Sequence, residues 1–103
     1  MAVWEIVRIV VPEGRQEEFE AVVRSHLPLL DEEKGCLDAK LFRAIDKEGV
    51  ILLCVQWESV EYHTEVFAQT EAFVKFSSAM APFFAEPPEA FHADAIIDGF
   101  RSA

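Results

Sequence analysis

Glycine and basic residues are scarce in this sequence of 103 residues. Its four glycines form no glycine-rich phosphate loop, so nucleotide or flavin binding through such a loop is unsupported. Nine lysines and arginines stand against 19 aspartates and glutamates, which gives a formal net charge of -10. A protein of that charge repels nucleic acid phosphates and anionic lipid surfaces, so we expect it to bind neither nucleic acid nor membrane.

Histidine and cysteine are also few, which limits metal and redox chemistry. His26, His63 and His92 lie far apart and no Cys-x-x-Cys pair occurs, so no preformed metal site is expected. Cys36 and Cys54 fall on the two arms of a predicted hairpin, about five positions out of register, or roughly 16 Å at the rise of a strand. That separation is too large for a disulfide, so we expect free thiols and a reducing compartment.

No apolar run is long enough to cross a bilayer, and the N-terminus lacks the basic region and apolar block of a signal peptide. A cytoplasmic location is therefore expected. The length suits one domain, 1–103, with a tail from about residue 99. Hydrophobic residues make up 51% of the chain and the mean hydropathy is +0.14, which suggests a surface that is buried by association.

Apolar patterning predicts four strands. Residues 2–11 are largely apolar on both sides and residues 50–55 are apolar without a break, so both segments are predicted to be central strands. A turn signal at 46–49 joins the second of them to a strand at 37–45 as an antiparallel hairpin. Residues 90–98 alternate in polarity and predict an edge strand.

Two helical regions separate these strands. An apolar stripe at helical spacing predicts a first helix, kinked or broken near Pro28 and ending before Gly35. Ser59 is predicted to cap a helix that runs to about Ala68, and Thr70 to cap the last helix.

The order strand, helix, strand, strand, helix pair, strand is the split βαβ pattern of α+β, ferredoxin-like domains, in which helices pack on one face of a four-stranded antiparallel sheet. The second face is apolar on the first and third strands and needs another layer. The simplest source of that layer is a second copy of the chain. The sequence therefore predicts a homodimer whose sheets pack face to face.

Two short segments, Glu-Glu-Lys-Gly-Cys-Leu at 32–37 and Gln-Trp-Glu-Ser at 56–59, resemble the antibiotic biosynthesis monooxygenase family. The resemblance runs from Val3 to about Ile97 and implies a dimeric α+β barrel with a cavity between sheet and helices. Members of that family include quinol monooxygenases without metal or flavin, heme-degrading enzymes, enzymes acting on small aldehydes or signal molecules, and proteins of no known activity. The fold does not choose among them.

The chain departs from the family at several functional positions. Members similar to the quinol enzymes often carry histidines at positions that match Phe67 and Ala72 here. The heme-degrading members use an Asn, a Trp and a His that match Val7, Phe67 and Ser77, so heme degradation is disfavoured. His63 lies four residues before Phe67 on the same face of the predicted helix, where it serves either a displaced site or none.

Three residues near the Trp-Glu-Ser motif have two interpretations each. Trp57 either lines a ligand cavity with its indole or plugs the corner between sheet and helix with its N–H bonded to backbone. His63 is either a general base or a residue on the helix surface. Tyr62 either holds the oxygen of a phenolic substrate or is exposed.

The other polar candidates have simpler alternatives. His26 lies on the apolar stripe of the first helix, where a neutral, hydrogen-bonded core histidine is the more frequent case. His92 and Asp94 share a strand face and either orient one another or form an exposed polar pair. Arg8 and Arg43 either counter a bound anion or pair with the many acids.

The leading hypothesis is a cofactor-independent monooxygenase acting on a quinol or polyphenol. Such a substrate, once deprotonated, can itself pass an electron to oxygen, so the protein needs a dry aromatic pocket and one well-placed donor or base. His63 is the predicted catalytic residue. The predicted pocket residues are Trp57, Tyr62, Phe67, Phe73, Phe76 and Met80. The alternative is a non-catalytic homodimer that binds a small apolar molecule.

Overall fold

The computed structural model describes residues 2–100, so residues 101–103 of the predicted tail lie outside the described part. A four-stranded antiparallel sheet has the order β2-β3-β1-β4. The strands are β1 (Val3–Val10), β2 (Cys36–Arg43), β3 (Val50–Trp57) and β4 (Glu89–Ala93). The helices are α1 (Gln16–Asp31) and α2 (Glu71–Met80). The α+β, ferredoxin-like prediction is confirmed, although β4 is shorter than the predicted 90–98.

The two central strands divide their side chains between the two faces of the sheet. β1 and β3 pair along their whole length, from Val3 opposite Trp57 to Val10 opposite Val50. Their odd-numbered residues face the helices, and most of them are buried. The core is completed by Phe19, Val23 and Leu30 from α1, by Phe76 and Met80 from α2, and by Phe83 from the short turn Ala81–Phe83 that follows α2. The period-two pattern of the sequence therefore places the core on one side of the sheet.

Pro28 lies inside α1 and does not end it. The helix continues to Asp31, and the backbone N–H of Glu32 still donates to the carbonyl of Pro28 at 3.1 Å. Of the kink or break predicted near Pro28, the break is therefore wrong, whereas the predicted end before Gly35 is confirmed. Across residues 2–100, no helix is long and apolar enough to cross a membrane.

The segment between β3 and α2 is not the regular helix that the sequence predicts. It forms a π turn (Tyr62–Val66) followed by a 3-10 turn (Phe67–Gln69). Ser59 still accepts from the backbone of Tyr62 at 3.0 Å, and Thr70 caps α2 by accepting from Phe73 at 3.1 Å. A π turn bonds residues five apart, so it brings Tyr62 and Phe67 to the same side, against β3.

The second face of the sheet is largely apolar and faces away from both helices. Ile6 lies there between Cys54 of β3 and Phe91 of β4, and Phe42 pairs with Leu52. Phe42 and Phe91 are 51% and 48% exposed in the single chain. We call this surface, formed by Trp4, Ile6, Val10, Phe42, Leu52 and Phe91, the open face.

The two cysteines are free, as the sequence predicts. Cys36 lies opposite Trp57 at one end of β2, and Cys54 lies opposite Lys40. Burial raises the pKa of the Cys36 thiol to about 11, which keeps it protonated and unreactive at neutral pH.

The ring of Tyr62, the first residue of the π turn, packs directly against Gly35. A Cβ at residue 35 would overlap Cγ of the Tyr62 ring, and the Tyr62 hydroxyl itself donates to Glu33 at 2.9 Å. We expect Gly35→Ala to displace Tyr62 and to lower the free energy of unfolding by about 1–3 kcal/mol, as overpacking does. Chemical denaturation measures this loss.

A double-mutant cycle supplies the control for that prediction. If the clash with the ring causes the loss, Gly35→Ala should cost much less in a Tyr62→Ala background. Equal costs in both backgrounds would show that the ring is not the reason for glycine at this position.

Candidate functional site

A cavity of about 170 Å³ lies between the central strands, the turns that follow β3, and α2. Aromatic and aliphatic side chains form most of its wall, and its polar lining residues are Glu5, His63 and Ser77. Two larger clefts, of about 290 and 450 Å³, run along α1 and the edge strand β2. We place the site in the smaller cavity because it joins an apolar wall to a histidine of perturbed pKa.

Trp57, the last residue of β3, forms one wall of this cavity. Its side chain is fully buried, and its Nε1–H donates to Oε1 of Glu5 at 3.0 Å. Its two predicted roles coincide, because the indole both fills the corner after the sheet and lines the cavity. The predicted backbone partner is wrong, since the acceptor is a carboxylate.

His63 lies flat against Trp57. The two ring centroids are 5.0 Å apart and the ring planes differ by 12°. His63 Nδ1 is 2.8 Å from Nε2 of His92, and His63 Nε2 is 3.4 Å from Oε1 of Glu5. Only 16% of the His63 side chain is exposed, so the interpretation as a surface residue is wrong.

The pKa of His63 is lowered from its ordinary value. Burial is the largest cause and the nearby His92 adds to it, whereas the charge of Glu5 acts in the opposite direction. The imidazole is therefore mainly neutral at neutral pH, and a neutral imidazole can accept a proton.

Glu5 is the residue of the site that sequence reasoning missed. It lies on β1 opposite Val55 on one side and His92 on the other, and 17% of its side chain is exposed. The signal was present in the sequence, because Glu5 is the single acid in the core-facing set of that strand. The other members of that set are Val3, Val7 and Ile9, and Val11 continues the pattern just beyond the strand.

The predicted pocket aromatics do come together, with one exception. Phe67 contacts both Trp57 and Phe73, with centroid distances of 4.9 and 5.8 Å, and Phe76 and Met80 complete this side of the cavity. Tyr62 is not part of the lining. Its ring stacks on Trp57 at 5.9 Å and its hydroxyl donates to Glu33, so it supports the site from outside.

The other two histidines, His26 and His92, have different hydrogen-bond partners. His26 is satisfied locally, with Nδ1 2.7 Å from the carbonyl oxygen of Val22. His92 bonds to His63 and not to Asp94, which lies beyond the end of β4. The interpretation in which His92 and Asp94 orient one another is therefore wrong.

The two arginines lie beside acids at the surface, and the described residues contain no cluster of potential metal ligands. Arg43 pairs with Glu20 and Arg8 with Glu86, so both meet acids at the surface. Within residues 2–100 no group of three histidines, cysteines or acids is arranged to hold a metal ion. In the site, the carboxylate and the second histidine approach different ring nitrogens of His63 and do not converge on one point.

Known proteins resemble the chain over most of its length. The sequence profile of the antibiotic biosynthesis monooxygenase family matches residues 2–79. A structure of a candidate member from Bordetella bronchiseptica is 33% identical in sequence and has a TM-score of 0.88. The matched region covers 93% of this chain and 98% of the Bordetella chain. The uncharacterized protein YczJ of Bacillus subtilis is 28% identical over 88 residues, which is 85% of this chain and 93% of YczJ.

SnoaB, a cofactor-independent oxygenase from Streptomyces nogalater, is a more distant neighbour. It is 20% identical in sequence, and the matched region covers 97% of this chain and 98% of the SnoaB chain. The TM-score of 0.82 shows a shared fold. The profile match, by contrast, spans most of the present sequence and agrees with the resemblance carried by the segments at 32–37 and 56–59. The chain therefore belongs to the antibiotic biosynthesis monooxygenase family.

Proposed function

We propose that this protein is a cofactor-independent monooxygenase that acts on a quinol or polyphenol bound in the cavity beside Trp57. The observation that carries the proposal is a mainly neutral histidine that lies next to a carboxylate and faces an otherwise apolar cavity. A base in that setting can deprotonate a phenol away from bulk water. Family membership and the shared fold with SnoaB support the same reaction class.

The reaction balances without a further reductant. A 1,4-hydroquinone and O₂ give a hydroxyquinone and water, so one oxygen atom enters the ring and the other leaves as water. All four electrons come from the hydroquinone. Removal of a phenolic proton by His63 makes the ring electron-rich enough to pass an electron to O₂, after which a C–O bond forms and water is lost. The protein supplies the base, the orientation and a dry site.

The cavity volume suggests a small substrate. About 170 Å³ is close to the engineered protein cavity of about 150 Å³ that takes up benzene. A single-ring hydroquinone therefore fits within the walls, whereas a larger polyphenol has to displace the side chains of Phe67, Phe73 or Met80. We expect turnover to favour the smaller ring.

A non-catalytic binding protein is the second candidate. The departures at Phe67 and Ala72 favour it, because these positions often carry histidine in members similar to the quinol enzymes. The cavity would then hold a small apolar molecule through contact with its aromatic wall alone.

We also propose that two copies associate through the open face. Its apolar side chains come from all four strands, and large apolar patches on a soluble protein usually mark interaction sites. Isologous packing of two such faces would cover both sheets with one contact.

Oxygen uptake tests the enzyme proposal. With 1,4-benzohydroquinone and 1,4-naphthohydroquinone as probes, the protein should consume O₂ faster than the hydroquinones do alone. Replacement of the base by His63→Gln should lower kcat about 10²–10⁴-fold. His26→Gln is the matched control and should leave the rate unchanged, because His26 bonds only within α1.

The same assay distinguishes the second candidate. An absence of uptake with both probes, together with displacement of a bound apolar fluorophore by either of them, would favour the binding protein. Equal rates for wild type and His63→Gln would remove His63 from the mechanism.

Analytical ultracentrifugation tests the association. The wild-type chain should sediment as a dimer at micromolar concentration, and Leu52→Lys should shift it to the monomer because a charge would then be buried between the sheets. Val74→Lys is the control, since Val74 is 56% exposed on α2, away from the open face. A wild-type monomer, or a Leu52→Lys dimer, would contradict the proposed interface.

A further inference from the structure

Three polar side chains from three separate elements form a line from the cavity to the surface. Glu5 comes from β1, His63 from the π turn and His92 from β4. The first two line the cavity, whereas His92 is exposed to solvent. His63 is the centre of the line, since its two ring nitrogens each approach one of the other two residues.

We propose that this line is the path by which the substrate's proton leaves the cavity. Nε2 of His63 accepts the hydroxyl proton, Nδ1 of His63 gives a proton to Nε2 of His92, and His92 releases one from its other ring nitrogen to water. Each transfer breaks one bond to hydrogen and forms another. Because the overall reaction releases no net proton, one proton returns from solvent by the reverse transfers when the second oxygen atom of O₂ leaves as water. This inference rests on the proposed function. It adds roles for two residues: Glu5 stabilises positive charge on His63, and His92 passes the proton to solvent.

The short contact between the two histidines supports the transfer step. At 2.8 Å the two nitrogens are at hydrogen-bond distance, so one of them carries the proton and the other accepts it. The path requires the tautomer in which Nδ1 of His63 carries the proton and donates it to His92, while Nε2 carries none and can accept the substrate's proton. A histidine can pass a proton in this way because each ring nitrogen can gain or lose one.

Glu5 has the position required to stabilise the charged intermediate. Its carboxylate is 3.4 Å from Nε2 of His63, and this favours the imidazolium that forms when the proton arrives. The indole N–H of Trp57 holds the same carboxylate oxygen in place. Around His63, Glu5 from β1 and His92 from β4 are the charged or titratable groups, while β3 and the 3-10 turn contribute the rings of Trp57 and Phe67.

The sheet register explains why the exit lies where it does. Glu5 and His92 are direct cross-strand partners on β1 and β4, so their side chains point to the same face. Because β4 is the edge strand, His92 reaches water, while Glu5 on the central strand stays under the π turn. Glu5 and His92 thus connect the core to solvent across the distance between two neighbouring strands.

NMR titration tests the path without requiring turnover. Because His92 lowers the pKa of His63 and Glu5 raises it, His92→Gln should raise the pKa of His63 and Glu5→Gln should lower it. The matched control is Glu65→Gln, which removes an exposed acid of the same turn and should leave the pKa of His63 unchanged. A His63 pKa that is unchanged in both site variants would overturn the path.

The pH dependence of stability gives a second readout that is independent of activity. Burial lowers the pKa of His63 in the folded chain, so the unfolded chain binds this proton more tightly and stability rises with pH. The contribution is fully present above the unfolded value of about 6.5 and is lost as the pH falls through the folded value. His63→Gln should therefore flatten the fall in melting temperature between pH 7.5 and 5.5, and an unchanged slope would count against a buried neutral His63.

Kinetics then tests the exit itself, with O₂ uptake on 1,4-benzohydroquinone. His92→Ala should lower kcat about tenfold, less than the loss expected for the base itself, with KM unchanged, and added imidazole should restore the rate. His92→Gln distinguishes relay from support, because an amide keeps a hydrogen bond to His63 but does not titrate. Full activity of His92→Gln would overturn the exit role, whereas inactivity of the wild type would overturn the proposed function and leave the NMR result to decide the path.

Discussion

The hydrogen bond between the indole of Trp57 and the carboxylate of Glu5 is the constraint on which the site depends. Burial of an indole requires a partner for its N–H, and burial of a carboxylate requires donors, so each residue lowers the cost of burying the other. The bond also joins β1 to β3 at the end of the sheet where the cavity opens. The flat surface of Trp57 then supports His63, Tyr62 and Phe67.

A buried neutral histidine at that place reduces stability at low pH and is the proposed base at neutral pH. An apolar residue in place of His63 would pack against Trp57 without a titratable group, as Phe67 already does on the following turn. Polar groups that are partly buried and mutually bonded, in a site where the rest of the wall is apolar, are a common arrangement of active sites. Burial of His63 thus accounts both for its cost in stability at low pH and for its proposed role as a base.

Much of the fold could be predicted from the sequence, and the site only in part. Strand alternation and the helical stripes are local patterns, so the sheet, the core and the pocket aromatics followed from them. The π turn did not, because it depends on Gly35 giving room to the ring of Tyr62 from a distant loop. The approach of His63 to Glu5 and His92 depends on the order of the strands and on that turn together, and no spacing in the sequence encodes either.

The alternation of β1 and β3 couples the two surfaces proposed for this protein. Glu5 lies between Trp4 and Ile6, so the acid that faces the cavity is flanked by two side chains of the open face. A second copy packed on that face would fix the backbone of β1 and, through it, the position of the carboxylate beside His63. Since catalysis requires such groups to be held close to their productive geometry, association would then contribute to the site without placing any partner residue in it.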